Sequence, residues 1–386
     1  MNREAEILLR GRVVAASVEL DDGVVTVVGE RIRGVRSIEE WVAAHPGRRA
    51  PEFSGTVIPG LVDIHNHGGF GHRFDTTDPA QARAAAGYHH GQGSTTVLAS
   101  IVTAPAEDMV AQTAALAGPA AEGVIAGIHA EGPFLSEVRC GAQDPRYLID
   151  PDPALVDRLL EAADGHLRVM TLAPERHGFA AAAKLLADNG VVIALGHSDA
   201  DYADFRNALV PNGFGTLVTH LANGMPPLHH RTPGPAAAAL VAAAADDVVV
   251  ELIGDGVHVD PGFGALAFAT ARGRVALITD AMQAAGLPDG QYRLGPQEVA
   301  VRNGVARIAD GSIAGGTSTL LTCLRWAIRE CGVPPIDAVR AATSTPAAAA
   351  GLDGVGDLRP GHYADILVLD RDQGLRRILR RGQWLT

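Results

Sequence analysis

The sequence reads Pro59-Gly60-Leu61-Val62-Asp63-Ile64-His65-Asn66-His67-Gly68-Gly69 at its most informative point. The apolar run from Val57 to Ile64 predicts a short buried strand that is entered through Pro-Gly. Residues i and i+2 of an extended strand point to the same side, so His65 and His67 can face one metal ion together. For this segment taken alone, two solvated histidines at a strand end are the alternative.

Composition restricts the class of protein. The 386 residues are 47% hydrophobic and 20% charged, as in globular proteins, and the net charge of -12 argues against a nucleic-acid partner. The three cysteines show no CxxC spacing, which indicates a reducing compartment. Neither the charged N-terminus nor the longest apolar run, Pro235 to Ala245, predicts a signal peptide or a membrane span. We therefore expect a cytoplasmic protein.

Short apolar runs alternate with alanine-rich helical stretches along the middle of the chain. The eight runs are Val57–Ile64, Thr95–Ser100, Val124–His129, Leu167–Leu172, Val191–Leu195, Thr216–Thr219, Val248–Ile253 and Val275–Thr279. Alternating strands and helices predict a parallel sheet, and eight such units predict an α/β fold of the TIM-like (β/α)₈ barrel type. A doubly wound sheet is the second hypothesis, although the GxGxxG segment expected after its first strand is missing.

Both ends of the chain show a different pattern, in which short β segments are separated by turn residues. Neither end is long enough to bury a core alone, so we expect the two to pair. The predicted organisation is a small β-sandwich domain formed by residues 1–56 and 350–386, with the barrel over residues 57–349.

Residues with metal-ligating side chains follow most of the predicted barrel strands, where chemistry gathers in this fold. The candidates are His65, His67, His129, Glu131, His197, Asp199, His220 and Asp280, with His258 as an additional imidazole. Nitrogen and carboxylate ligands without cysteine favour Zn²⁺ or Fe²⁺ in a catalytic site. The ligands are far apart in sequence, so this prediction depends on the barrel.

The single lysine, Lys184, lies inside a predicted helix at about Phe179 to Asn189. Schiff-base chemistry and the phosphate-binding P-loop both require a lysine, and the sequence contains no GxxxxGK pattern. A position in the middle of a helix also argues against a carbamylated lysine that bridges two metals.

The chain resembles the N-acetylglucosamine-6-phosphate deacetylase family of the amidohydrolase superfamily. The matching segments are Pro59–His65, His129–Phe134, Leu172–Glu175, Gly196–Ser198, Thr219–Leu221, Asp255–His258, Thr279–Met282 and Gly361–Ile366. The first of these is shared across the superfamily, whereas Glu-Gly-Pro-Phe and His-Leu-x-Asn are specific to the family. The resemblance covers nearly the whole chain and implies a (β/α)₈ barrel with a small β-sandwich.

The resemblance also implies a metal site formed by Glu131, His197 and His220. The histidines after the first strand would hold a second ion, with Glu131 bridging the two. Metal-bound water would be the nucleophile, and Asp280 would take its proton and pass it to the leaving nitrogen. His129 is expected near the ligands rather than among them.

Substrate contacts are likewise implied by the resemblance. It places them at Ala142, Gln143, Asn223, Gly224, His258, Ile313, Ala314 and Gly315. Arg231 would bind the 6-phosphate in the active site of a neighbouring subunit, because its planar guanidinium can donate two parallel hydrogen bonds. A site completed in this way requires a homodimer or a higher homo-oligomer.

The sequence departs from the family pattern at two positions. Relatives have Gly-x-His-x-Pro where this chain has Gly141-Ala142-Gln143-Asp144-Pro145, and Gln143 cannot become cationic. Relatives have Asn-Ala-Met where this chain has Asn223-Gly224-Met225. A backbone contact would survive the second change, whereas the first bears on substrate positioning.

The predicted function is metal-dependent hydrolysis of the acetyl group of N-acetylglucosamine 6-phosphate, which gives glucosamine 6-phosphate and acetate in amino-sugar catabolism. N-acetylgalactosamine 6-phosphate or another N-acyl amino sugar is the alternative substrate. A deaminase, an N-acyl-amino-acid hydrolase and a non-catalytic scaffold on the same fold are weaker alternatives. The intact ligand set argues against the scaffold.

Overall fold

The computed structural model describes residues 6–385 of the chain. The prediction that the N-terminus carries no signal peptide concerns residues 1–6, and of these only Glu6 lies within the described range. No helix within the described range combines the length and the apolar character that a membrane span requires.

The middle of the chain forms an eight-stranded parallel sheet whose strands follow one another in sequence order. The barrel strands are Val62–Asp63, Thr96–Ile101, Gly127–Glu131, Leu167–Leu172, Val192–Leu195, Leu217–Val218, Val249–Ile253 and Val275–Ile278. Their apolar side chains are buried almost completely, as expected for strands covered on both faces. The prediction of a TIM-like (β/α)₈ barrel is confirmed.

Side chains and loops close the barrel between its first and last strands. The Asp63 carboxylate accepts hydrogen bonds from the Thr279 backbone N–H at 3.2 Å and from its hydroxyl at 2.6 Å. Immediately beyond these residues, Asp280 N–H donates to the His65 carbonyl at 3.0 Å, and His67 N–H donates to the Ala281 carbonyl at 2.7 Å. These contacts place the residues that follow the two strands side by side.

Most of the helices cover the outside of the barrel, and several begin with a side-chain cap. The helices of the described range are Ile38–Ala44, Pro79–Gly91, Ala106–Ala121, Pro153–Ala163, Phe179–Asp188, Tyr202–Ala208, Gly234–Ala244, Pro261–Thr270, Leu320–Arg329, Pro335–Ala341 and Ser344–Ala349. Asp78, Asp152 and Asp260 each accept a hydrogen bond from a first-turn N–H and precede a proline, which suits the first helical position.

Both ends of the chain join in one separate seven-stranded sheet, here called the terminal sheet, as predicted. Its strands are Glu6–Ala15, Val18–Val28, Arg31–Ser37, Phe53–Pro59, Ile366–Leu369, Leu375–Arg380 and Gln383–Leu385. Strand Phe53–Pro59 lies between the N-terminal and C-terminal strands and pairs with both. The terminal sheet has its own apolar cluster, which includes Val13, Ile32 and Ile366.

The strand predicted over Val57–Ile64 is wrong in one respect, because two sheets divide it. Phe53–Pro59 belongs to the terminal sheet and only Val62–Asp63 to the barrel, so the predicted boundary after residue 56 falls inside a strand. The chain changes sheets at Gly60, where an added Cβ would lie 2.0 Å from the Thr95 hydroxyl. Only glycine fits that approach. The division of the chain into two domains stays a prediction.

A small three-stranded antiparallel sheet was not predicted from the sequence. Its strands, Gly290–Leu294, Gln297–Arg302 and Val305–Arg307, follow the last barrel strand. Two short strands, Gly68–Gly69 and His72–Arg73, form a further ribbon directly after the first barrel strand. Both additions lie at the end of the barrel that carries the predicted ligands.

Candidate metal centre and active site

All six predicted metal ligands meet at the carboxyl ends of the barrel strands, and all six are buried. They form two groups, His65 with His67 and Asp280, and Glu131 with His197 and His220. Within each group the ligand atoms lie within 4.8 Å of one another. The two groups are adjacent, because the first and last strands lie side by side and Glu131 reaches between them.

The Glu131 carboxylate joins the two groups. Its Oε1 lies 3.0 Å from His197 Nε2 and 2.9 Å from His220 Nε2. Its Oε2 lies 3.2 Å from His67 Nε2 and 3.6 Å from His65 Nε2. Four imidazole nitrogens therefore converge on one carboxylate, with one oxygen directed to each group, which is the arrangement that a bridging ligand requires.

The charges of this cluster compensate one another. Burial disfavours ionised Glu131, but the charge of His65 and the hydrogen bonds of His197 and His220 hold its pKa well below the ordinary value. Burial opposes the charge on Asp280 as well, and His65 and His67 still lower its pKa to about 2. The carboxylates, in turn, raise the pKa of His67 to about 9 against its burial. A divalent cation can replace protons held in this way.

The outer ring nitrogens of three histidines are fixed by neighbours. His65 Nδ1 donates to the Glu251 carboxylate at 3.0 Å, and His67 Nδ1 donates to the Ser100 carbonyl at 3.2 Å. His197 Nδ1 donates to the Arg139 carbonyl at 2.7 Å. Each contact turns Nε2 toward the centre of the cluster, as partners of metal-bound histidines do. The donor set, its burial and its orientation fit Zn²⁺ or Fe²⁺.

Three of the ligands have strained backbone conformations. His197, His220 and Asp280 have φ values of 45°, 26° and 48°, a region that residues other than glycine rarely adopt. Each lies at the sharp turn that leaves a barrel strand. Such conformations cost about 1–3 kcal/mol each and persist where the surrounding structure enforces them, commonly at active sites.

A cavity of about 270 Å³ opens over the cluster. Its lining includes His67, Glu131, His197, His220 and Asp280, together with Ala142, Gln143, Asn223, Gly224, His258, Ile313 and Gly315 of the predicted substrate contacts. Ala314 is buried outside this lining. Arg231 is exposed and is also absent from the lining of the cavity in its own chain.

Gln143 contacts the protein at both ends of its amide. Its Nε2 donates to Glu131 Oε2 at 2.8 Å, and its Oε1 accepts from the Thr103 N–H at 2.8 Å. The contact with Thr103 fixes the orientation of the amide, so the nitrogen faces the cluster. Gln143 thus holds the Glu131 carboxylate in addition to lining the cavity.

His129 and Lys184 lie outside the two groups of ligands. The ring nitrogens of His129 lie 2.9 Å from the Ser100 hydroxyl and 2.8 Å from the Thr171 hydroxyl, and burial holds its pKa well below the ordinary value. Lys184 is exposed in helix Phe179–Asp188 and pairs with Asp188 at 2.7 Å. Among the described residues, Glu131 is therefore the side chain whose two carboxylate oxygens face both groups of ligands.

Comparison with known proteins identifies the family. Residues 56–383 match the model of the amidohydrolase family. The chain belongs to this family. Within it, the chain is 33% identical over 377 residues to an N-acetylglucosamine-6-phosphate deacetylase of Vibrio furnissii, covering 96% of this chain and 93% of the relative.

Two further deacetylases are similar to this chain over most of its length. An N-acetylgalactosamine-6-phosphate deacetylase of Escherichia coli O157:H7 is 36% identical, with 85% of this chain and 87% of the relative covered. The crystal structure of N-acetyl-D-glucosamine-6-phosphate deacetylase from Mycobacterium smegmatis superimposes with a TM-score of 0.92 at 40% identity, over 98% of this chain and 100% of that chain. Within the amidohydrolases, the chain therefore groups with the N-acetylglucosamine-6-phosphate and N-acetylgalactosamine-6-phosphate deacetylases.

Glu251 supports this metal centre and was not predicted from the sequence. Its Oε2 accepts both from His65 Nδ1 at 3.0 Å and from the His220 N–H at 3.1 Å, so it connects the two groups of ligands. It is 1% exposed in the middle of barrel strand Val249–Ile253. The available signal was a lone carboxylate within an otherwise apolar run.

Replacement of Glu251 by leucine is expected to lower the affinity for Zn²⁺ by roughly 10–100-fold, because two groups lose their acceptor. Glu251→Gln keeps one acceptor oxygen and should lose less. Competition with a chromophoric chelator measures both values, with the exposed Glu298→Gln as the control variant. An affinity of Glu251→Leu within twofold of the unmodified protein would show that Glu251 does not support the ligands.

Proposed function

We propose that this amidohydrolase removes the acetyl group from N-acetylglucosamine 6-phosphate, giving glucosamine 6-phosphate and acetate in amino-sugar catabolism. The observation that carries the proposal is the buried cluster of four histidines and two carboxylates beneath a cavity of about 270 Å³. The named deacetylases to which the chain is similar supply the substrate class. We also propose that the enzyme acts in the cytoplasm.

The proposed cofactor is Zn²⁺ or Fe²⁺, with one or two ions per subunit. Glu131, His197 and His220 would hold one ion, and the group of His65, His67 and Asp280 would hold the other with Glu131 shared. When bound, such an ion lowers the pKa of a coordinated water to ~7 and polarises a carbonyl oxygen.

Asp280 is the proposed general base and acid. Its pKa of about 2 keeps the carboxylate ionised at neutral pH, so it can accept a proton. It lies 3.1 Å from His67 Nε2 and lines the cavity, so the same oxygen can face both an attacking water and a leaving nitrogen. Amide hydrolysis needs one proton to move between those two positions.

The remaining cavity residues are proposed to hold the sugar. Asn223, Gly224 and His258 line the cavity, as do Ala142 and Gln143. Ile313 and Gly315 line the cavity, and Ala314 lies between them in the same segment. The Ala142 and Gln143 loop replaces a family histidine with a neutral donor, so substrate positioning here would not depend on ionisation of that residue.

Arg231 is proposed to bind the 6-phosphate from a neighbouring subunit of a homodimer or a higher oligomer. It is exposed and lies outside the cavity of its own chain, which a contribution to another chain requires. The adjacent His229 and His230 make this loop a local group of potential cations in an acidic protein.

Arg231→Gln is expected to raise KM for the phosphorylated sugar by roughly 10–100-fold, since it removes a charged hydrogen bond to phosphate. Turnover of unphosphorylated N-acetylglucosamine should stay unchanged. Steady-state acetate release with both sugars measures this difference, and the exposed Arg302→Gln serves as the control. An equal loss on both sugars would remove Arg231 from phosphate recognition.

The proposed function is tested by acetate release from N-acetylglucosamine 6-phosphate, with metal content measured on the same sample. Release that depends on the phosphate and stops on chelation would support the metal centre and the phosphate contact together. A metal-replete sample that releases no acetate would contradict the proposed substrate.

N-acetylgalactosamine 6-phosphate is the second candidate substrate. The observation in its favour is the 36% identity to the Escherichia coli O157:H7 relative of that name. The two sugars differ only in the orientation of one hydroxyl group. A ratio of kcat/KM values for the two sugars, measured on one preparation, decides between them.

A further inference from the structure

His258 lines the cavity and has one ring nitrogen without a hydrogen-bond partner among the described residues. The residue follows barrel strand Val249–Ile253, and its side chain is 4% exposed. Nδ1 lies 2.7 Å from the Asp255 carboxylate, whereas Nε2 is buried and has no hydrogen-bond partner among the described residues. Because the ring lines the cavity, Nε2 is the atom left for a molecule bound there.

Asp255 is fully engaged by the loop that carries His258. Its Oδ1 accepts from the Val257 N–H at 2.8 Å and from the His258 N–H at 2.9 Å. Its Oδ2 accepts a hydrogen bond from His258 Nδ1, and its side chain is 4% exposed. The carboxylate therefore fixes both the direction of the ring and the position of the proton on Nδ1.

We propose that Asp255 is a positioning residue that holds His258 as an imidazolium, whose Nε2–H donates a charged hydrogen bond to an oxygen of the sugar phosphate. The inference rests on the proposed function and extends it to the charge state of the donor. Asp255 belongs to neither group of metal ligands and was not among the predicted site residues.

The charges around His258 favour the protonated ring. Burial opposes protonation, but the hydrogen bond and charge of Asp255, assisted by Asp280, raise the pKa of His258, and Arg307 opposes them weakly. The same contact lowers the pKa of Asp255 despite its burial. Cys323 of helix Leu320–Arg329 has its thiol pKa raised well above the ordinary value by burial, so it stays neutral.

The sign of the pH dependence follows from the geometry. Asp255 retains the proton on Nδ1, so deprotonation of the ring removes the proton from Nε2. A donor then becomes an acceptor, and KM is expected to rise as the pH increases through the pKa of His258. Below that pKa the charged donor stays in place.

Asp255→Asn separates charge from hydrogen bonding. The Asn oxygen can accept from the two loop N–H groups while its amide donates to Nδ1, which leaves a neutral ring with a proton on Nε2. We expect KM at neutral pH to rise roughly tenfold with little change in kcat, since charged hydrogen bonds are about twice as strong as neutral ones. The alkaline rise in KM should disappear, as it should in His258→Gln.

The matched control is Asp260→Asn. Asp260 is an exposed residue of the same loop that caps helix Pro261–Thr270, and asparagine caps a helix equally well. The Asp260→Asn variant removes one carboxylate from the loop without touching His258. Its KM should therefore equal that of the unmodified enzyme at every pH. An alkaline KM rise that persists in Asp255→Asn would overturn the proposal.

A second readout does not require turnover. The ring nitrogens of His258 can be titrated by NMR on the metal-loaded protein, with His258→Gln used for assignment. We expect a pKa above that of a free histidine and a fall in Asp255→Asn. An ordinary titration in the unmodified protein would overturn the proposal whatever the acetate assay gave, whereas absence of acetate release with a raised pKa would contradict the proposed function alone.

Discussion

Asp280→Asn is expected to lower kcat by roughly 10²–10⁴-fold while the protein keeps its metal. The asparagine oxygen can still face His67, but the amide cannot accept a proton at neutral pH. Because the Glu131, His197 and His220 group does not include Asp280, at least that ion should remain bound. Metal analysis and acetate release on the same preparation measure both effects.

The control for this variant is Asp157→Asn, an exposed aspartate of helix Pro153–Ala163. It changes the net charge by the same amount at a distance from the cavity and should leave kcat unchanged. A kcat of Asp280→Asn within tenfold of the unmodified enzyme would exclude Asp280 as the group that transfers the proton.

Glu131→Gln is expected to lose its metal, whereas Asp280→Asn is expected to lose turnover and keep its metal. The carboxylate lies within 3.0 Å of His197 and 2.9 Å of His220 on one oxygen and 3.2 Å of His67 on the other. Removal of one member of a buried charged cluster costs about 3–5 kcal/mol, which corresponds to a loss of about 10²–10⁴ in affinity. Both ions share this ligand, so both should bind more weakly.

Calorimetric titration of the metal-free variant with Zn²⁺ measures this loss, and Glu161→Gln on the exposed face of its helix is the control. Excess Zn²⁺ should restore part of the activity of Glu131→Gln, whereas it cannot restore Asp280→Asn. A Glu131→Gln protein that still binds two ions at the original affinity would show that Glu131 does not bridge the two groups.

The sequence alone was sufficient to predict features that depend on residues close together in the chain. The two-residue spacing of His65 and His67 at the end of an apolar run indicated that both face one side, and their Nε2 atoms indeed lie 3.2 Å apart. The alternation of short runs with alanine-rich stretches likewise predicted the barrel. Periodicity of this kind depends on a few neighbouring residues, so it survives without knowledge of the fold.

Other features could not be predicted from local patterns. Glu251 looks like an isolated carboxylate in a buried strand, and only the strand positions show that it serves both His65 and His220. Gln143 was expected to contact substrate, and the structure adds its contact with Glu131. The change of sheet at Gly60 depends on Thr95, a residue far away in the chain.

Residue types and their periodicity were enough to define the alternation of strands and helices, the set of metal-ligating side chains and the family resemblance. The arrangement of those side chains depends on the closed barrel, which brings residues 65 and 280 together through contacts between its first and last strands. The charge state of the cluster has the same origin. Burial and mutual proximity lower the pKa of Asp280 to about 2 and raise that of His67 to about 9, and both causes exist only in the folded chain.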